Sequence, residues 1–156
     1  MQTQSNRPVD WLESTIMRNQ NKIYRVALGL MANKQDAEDI IQDAFVKLVE
    51  KQPNFNSHDH ETAWLIRVTV NLCKSRFRTR WWNKTVPLLD SYPAQSNKHQ
   101  DIIETVLALP LKYRIPVHLF YYEGYSTKEI AEITEQKEST VRSQLARARQ
   151  MLKNYL

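Results

Sequence analysis

The chain has 156 residues, a formal charge of +5 and a pI near 9.3, with 42% hydrophobic and 25% charged residues. Those values sit near the globular average and exclude wholesale disorder. Two glycines, Gly29 and Gly124, exclude a dinucleotide fingerprint, a phosphate loop or a series of tight hairpins, and the lone Cys73 excludes a disulfide scaffold.

No apolar run approaches the roughly 18 residues of a membrane span. The polar start from Met1 to Pro8 has no signal-peptide character, so a cytosolic, helical, basic protein is expected. In chain order, Leu12, Ile16, Ile23, Val26, Ala27 and Leu30 predict a long first helix, and Asn33-Lys34-Gln35 a polar break. A second helix is predicted over about 36–51, stopping before Pro53. Its core stripe is Ala37, Ile41, Ala44 and Leu48, with Ile40 and Phe45 at the edges. Asp39, Gln42, Asp43, Val46 and Glu50 form its outer face. An acidic face with a central valine suits contact with a basic protein surface; the other reading is a plain solvated face. Residues 54–61 read as a polar loop holding one aromatic, Phe55. His58-Asp59-His60-Glu61 lacks the cysteines and helical ligand spacing of a metal site, so no metal is expected.

A third helix is predicted over about 62–80. From Ala63 to Lys84 it carries Arg67, Lys74, Arg76, Arg78, Arg80 and Lys84 and no acid. Leu65, Ile66, Thr69, Leu72 and Cys73 share one side; Trp64, Arg67, Asn71, Lys74 and Arg78 share the other. Cations neutralise phosphates, an amide reads a base edge and an aromatic stacks on an unpaired base, so this face suits nucleic acid. A solvated charged face fits it equally. Residues 83–100 hold Pro87 and Pro93 without a period and read as a linker.

Helical pattern resumes near Ile102. Gly124 suits a left-handed helix end, and Ser126-Thr127-Lys128-Glu129 reads as a capping box. A short helix over 127–133, a turn near Glu135 and a last helix to about Tyr155 follow. Val141, Leu145, Ala148 and Leu152 form the last helix's buried stripe. Residues 137–153 hold five basic residues against one acid, which favours a helix-turn-helix entering a major groove over an ordinary helical hairpin. Pro116 should kink its helix or delay its start. The expected fold is therefore all-α: two small helical domains, at 9–82 and 101–156, joined by a flexible linker at 83–100, the second domain a helix-turn-helix.

The motifs resemble the extracytoplasmic-function (ECF) group of bacterial RNA polymerase sigma factors. The likeness covers nearly the whole chain. It rests on Asp36–Phe45, on Phe55, Trp64-Leu65-Ile66-Arg67 and Asn71, and then on Leu109-Pro110, Tyr113-Arg114, Tyr121–Gly124, Glu129–Ile133 and Thr140–Ser143. The resemblance implies a specificity subunit that binds core RNA polymerase and promoter DNA, under the control of an anti-sigma factor that could hold it at the membrane. By that resemblance Asp39, Gln42, Asp43 and Val46 meet the clamp helices of the β′ subunit. Phe55, Asn56, Ser57 and His58 capture a flipped −10 base, with Asn71 lining the pocket, Trp64 bracing the loop, and Arg67, Lys74 and Arg78 on the strand. Thr140, Arg142, Ser143, Gln144 and Arg147 face the −35 groove. No cofactor, small-molecule substrate or catalytic residue is implied, since phosphodiester synthesis belongs to the polymerase. The chain departs from the family at Glu135, where glycine is usual, and at Gln136, Gln144 and Ala146. A stand-alone helix-turn-helix regulator, or a helical adaptor that binds only protein, would leave one or more of these motifs without a role.

Overall fold

The structure, a computed structural model, describes residues 9–83 and 104–155. The expected linker, apart from Asn83, lies outside the described residues, as do Met1 to Pro8 and the side chains of Trp81 and Trp82. The described residues form helices α1 (Val9–Met31), α2 (Lys34–Lys51), α3 (His58–Asn83), α4 (Leu111–Val117), α5 (Thr127–Thr134) and α6 (Glu138–Tyr155), with a π-helical segment at His118–Tyr122 after α4. A helical turn at 104–107 precedes α4. No described helix is long and apolar enough to cross a membrane.

Local chemistry sets the boundaries. Ala32 turns the chain with φ 59, and Asn33 caps α2 by accepting from the Asp36 amide at 3.0 Å. Gln52 ends α2 in the left-handed region, and Pro53 follows it. The loop before α3 is shorter than the sequence suggests. Ser57 caps the helix through its Oγ, which accepts from the His60 amide at 3.1 Å, so His58–Glu61 form the first turn of α3. The Ser126–Glu129 capping box forms in both directions, at 3.1 and 2.9 Å.

Gly124 has φ 76, the left-handed end that the sequence implies. Glu135 is also left-handed, φ 56 and ψ 46, in the turn where a glycine would be unstrained. It carries a conformational cost of about 1 kcal/mol. Pro116 does not delay its helix, which starts at Leu111. It removes the donor that would reach the Lys112 carbonyl, and the chain loosens into the π segment directly afterwards. There the Glu123 amide reaches back five residues to the His118 carbonyl at 3.1 Å.

α1, α2 and α3 pack around Ile23, Val26, Leu30, Ala37, Ile40, Ala44, Leu48, Leu65, Ile66 and Cys73, all buried. Ile40, rather than Ile41, is the fully enclosed member of that pair. Leu109, Ile115, Leu119, Ile130, Val141, Leu145 and Ala148 build the second module, and the two cores run together as one cluster. Each large aliphatic side chain so enclosed contributes about 1.5–3 kcal/mol.

The modules touch directly. Arg114, buried in the second, donates to the Leu30 carbonyl in the last turn of α1 and lies over the Phe77 ring at 5.2 Å. Arg67 of α3 donates to the carbonyls of Glu132 and Ile133, in the last turn of α5, at 2.9 and 3.1 Å. Each module thus lends an arginine to the carbonyl end of the other module's helix, where orphan acceptors and the helix dipole both favour a cation. Arg25 pairs with Glu123 at 3.1 Å, and Lys22 donates to the Tyr125 hydroxyl at 3.3 Å.

Candidate nucleic-acid interface

The outer face of α2 is open. Gln42, Asp43 and Glu50 are exposed, and Val46 and Val49 are 52% and 45% exposed. Together with Phe45 these valines floor a shallow hollow edged by Gln42 and Glu50. Asp39 is half-buried; it accepts from Gln35 Nε2 at 3.1 Å and stands 3.6 Å from Arg76. Arg76 is held by the buried Asp36 at 3.1 Å, a pairing the sequence reading missed. Its signal was there: Asp36 lies four residues before Ile40, on the core side of the helix.

The loop before α3 packs on that helix through aromatics. Phe55 meets the Trp64 ring edge-on at 5.8 Å and the His60 ring at 5.4 Å, and His60 Nδ1 accepts from the Asn56 amide at 3.1 Å. Trp64 therefore does brace the loop. Between loop and α1 lies a hollow of about 420 Å³ walled by Asn54, Phe55, Asn56, Ser57 and His58, with Trp11 and Arg18 across from them.

Glu61 is its buried anchor. Its carboxylate accepts from Arg18 at 2.8 and 3.1 Å, from Asn19 at 2.7 Å and from Thr15 at 3.3 Å. Burial alone would push this carboxyl up; the hydrogen bonds from Arg18 and Asn19, with the charges of Arg18 and His58, outweigh it and hold the group below its usual range. Trp11 and Arg18 went unassigned in the sequence, because α1 gives no sign that it faces the loop; Glu61 was read as the end of the polar loop and not as a buried anchor.

Along α3, His60, Ala63, Arg67 and Asn71 fall on one strip, spaced three, four and four. Asn71 is exposed and stands about 15 Å along the axis from Glu61, so it does not wall the loop hollow. Arg78 is exposed and Lys74 half-exposed, while Arg67 is engaged by α5. Cys73 is buried, and burial pushes its thiol up to about 12.

In the helix-turn-helix, Thr140, Arg142, Ser143 and Arg147 of α6 are exposed as expected. Glu138 ties the unit together, accepting from Thr127 of α5 at 2.7 Å and pairing with Arg142 at 3.0 Å. Gln144 is turned partly inward: its Oε1 is buried without a hydrogen-bond partner. It lies three residues after Val141 and four before Ala148, beside the buried stripe.

The protein-family model for Sigma-70 region 2 matches residues 15–83, and that for Sigma-70 region 4 matches residues 99–152. The SigM ECF RNA polymerase sigma factor of Mycobacterium tuberculosis is 32% identical over 146 residues, covering 89% of this chain and 74% of that protein. The chain belongs to the ECF group of RNA polymerase sigma factors.

This sigma factor is also 31% identical to the SigE ECF sigma factor of Mycolicibacterium smegmatis over 92% of its own length, but spans only 61% of that relative. Its fold is that of the sigma factor RpoE solved in complex with the anti-sigma factor NepR from Bartonella quintana. The TM-score is 0.77 at 24% identity, covering 94% of this chain and 97% of that one. It matches CnrH, solved in complex with the cytosolic domain of CnrY, with a TM-score of 0.69 at 22% identity over 98% and 91% of the two chains.

Proposed function

We propose that this sigma factor binds core RNA polymerase, reads −10 and −35 promoter elements and starts transcription, held in check by an anti-sigma factor. In this reading region 2 spans about 9–82 and region 4 about 101–156, with 83–100 between them. The α2 face of Asp39, Gln42, Asp43 and Val46 docks on the β′ clamp helices. The loop Phe55-Asn56-Ser57-His58 receives a flipped −10 base, with Arg67, Lys74 and Arg78 along the strand and Asn71 reading a base edge. Thr140, Arg142, Ser143, Gln144 and Arg147 address the −35 major groove. The chain supplies binding and base flipping, and bond formation belongs to the polymerase. It works in the cytoplasm, and an anti-sigma factor could tether it at the membrane.

The observation that carries this reading is that one module presents two opposite faces. An open acidic-apolar face on α2 sits beside a basic strip on α3 that leads to a hollow large enough for a base. A stand-alone helix-turn-helix regulator has no use for either. Run-off transcription with purified core polymerase tests it: initiation from a cognate promoter is expected only when this chain is added. Promoter binding without added initiation would replace this reading with that of a simple regulator.

A further inference from the structure

We infer that Glu138 is a positioning residue for −35 recognition: anchored to Thr127, it sets the direction of Arg142 and so determines which base the helix-turn-helix prefers. The inference rests on the −35 reading of α6 given above.

Thr127 is the first residue of α5 and Glu138 the first of α6. Between them runs the turn that holds the left-handed Glu135. The Thr127 hydroxyl donates to Glu138 Oε2 at 2.7 Å, so a side-chain bond ties the starts of the two helices together across that turn. The same oxygen stands 3.0 Å from Arg142 Nη1, one helical turn further along α6. Hydroxyl, carboxylate and guanidinium thus form a chain from the supporting helix to the recognition helix.

As a source of stability this chain counts for little. The Arg142 and Glu138 side chains are 59% and 41% exposed, and an exposed pair of this spacing is weak. A carboxylate is also a poor choice for a surface that meets phosphates. Its use is orientational. An arginine that swings freely gives up many rotamers when it binds. Arg142 instead leans on a carboxylate that Thr127 holds still. The contact engages Nη1 and leaves the Nε–Nη2 edge of the guanidinium for a base, a fork that matches N7 and O6 of guanine.

The charge adds discrimination of its own. Non-specific binding is driven by the neutralisation of phosphates, and an acid beside Arg142 weakens it on every duplex. A matched base recovers that loss through the oriented arginine, and an unmatched base does not.

Two full-length variants separate these effects from folding. Glu138→Gln removes the charge and loosens the hold on Arg142 while keeping an oxygen for Thr127. Thr127→Val removes the anchor and keeps the charge. The native chain first selects −35 duplexes from a randomised pool, and these are then substituted base by base for titration. Both variants should lose about tenfold in preference at one position, the scale of a single bidentate base contact. It should be the position whose preference Arg142→Ala also abolishes. Glu138→Gln alone should bind scrambled duplexes more tightly than the native chain at low salt. Added to Arg142→Ala, neither substitution should alter the preference further. Equal shifts on matched and scrambled duplexes, with the preference kept, would reduce Glu138 to a bulk charge or a structural tie and overturn the inference. It falls too, with the −35 reading intact, if Arg142→Ala loses the preference while both other variants keep it. If the native chain selects no sequence from the pool, the −35 reading fails and the inference fails with it.

Discussion

The outer faces of α2 and α3 belong to one small module and differ in both charge and availability. The α2 face is acidic, carries two exposed valines and is unobstructed. The α3 face is basic, and its central arginine is already occupied by the second module. The difference is one of access: the α2 face is open, whereas the middle of the α3 face is already in contact with α5 through Arg67.

The largest expected effect tests the open face. Asp39→Lys with Asp43→Lys should abolish co-purification with core polymerase, a loss of several kcal/mol through like-charge contact, and leave helicity by circular dichroism unchanged. Asp43 should dominate, because Asp39 is partly engaged by Gln35 and Arg76. Equal co-purification of the double variant would remove α2 from the polymerase interface.

Next comes the anchor beneath the loop hollow. Glu61→Ala should lower stability by about 2–3 kcal/mol in urea unfolding, since it leaves Asn19 and Arg18 without their acceptor. The loss stays that small because the Arg18 side chain is 36% exposed and regains water. Acid should act on the same group. Its carboxyl, and that of Glu123 at about 2, lie below the ordinary 4.5. For Glu123, burial opposes ionisation, but the bonds and charges of His118 and Arg25 prevail. Both carboxylates therefore stabilise the fold fully above pH 4.5, and that contribution fades as pH falls through the lower folded values. Unfolding midpoints measured from pH 6 to pH 2 should drop across that window, and less so in Glu123→Gln.

The helix-turn-helix supplies the unobstructed counterpart to α3. Arg142→Ala and Arg147→Ala should each weaken binding to a −35 duplex by about 1–3 kcal/mol if they read bases. A purely phosphate contact should instead show a sequence-independent loss and a salt slope lower by about one. Titrations at several salt concentrations on matched and scrambled duplexes separate the two. The smallest effect is at the turn: Glu135→Gly should raise thermal stability by up to about 1 kcal/mol, by relieving the left-handed glutamate.

Most of the helices and stripes, with the Ser126–Glu129 box and the Gly124 helix end, were legible in the sequence because each is written within a few residues; the first turn of α3, capped by Ser57, was read as loop. The outward faces followed from the same periodicity. What stayed hidden depends on partners far along the chain. Glu61 finds Arg18 and Asn19 across more than forty residues, Arg114 finds the carbonyl of Leu30 across eighty-four, and Gly29 reads as an indifferent helix glycine until His118 is placed against it. Gln144, read as one of the groove residues, is partly buried beside Val141 and Ala148, a degree of enclosure that a wheel drawn for one helix cannot show.

The π-helical segment after Pro116 has a consequence for assembly. A turn that closes over five residues instead of four takes in one residue more than an α-helix would, so everything after it is clocked forward by about 100°. His118 begins this offset stretch, and Tyr121 near its end reaches Arg149, accepting its Nε at 2.7 Å. Deleting a single residue between 118 and 122 would let the helix run on in ordinary phase and rotate the aromatics after the deletion away from their present partners. One surplus residue thus acts as an angular shim, setting how the second module is turned as it meets the first.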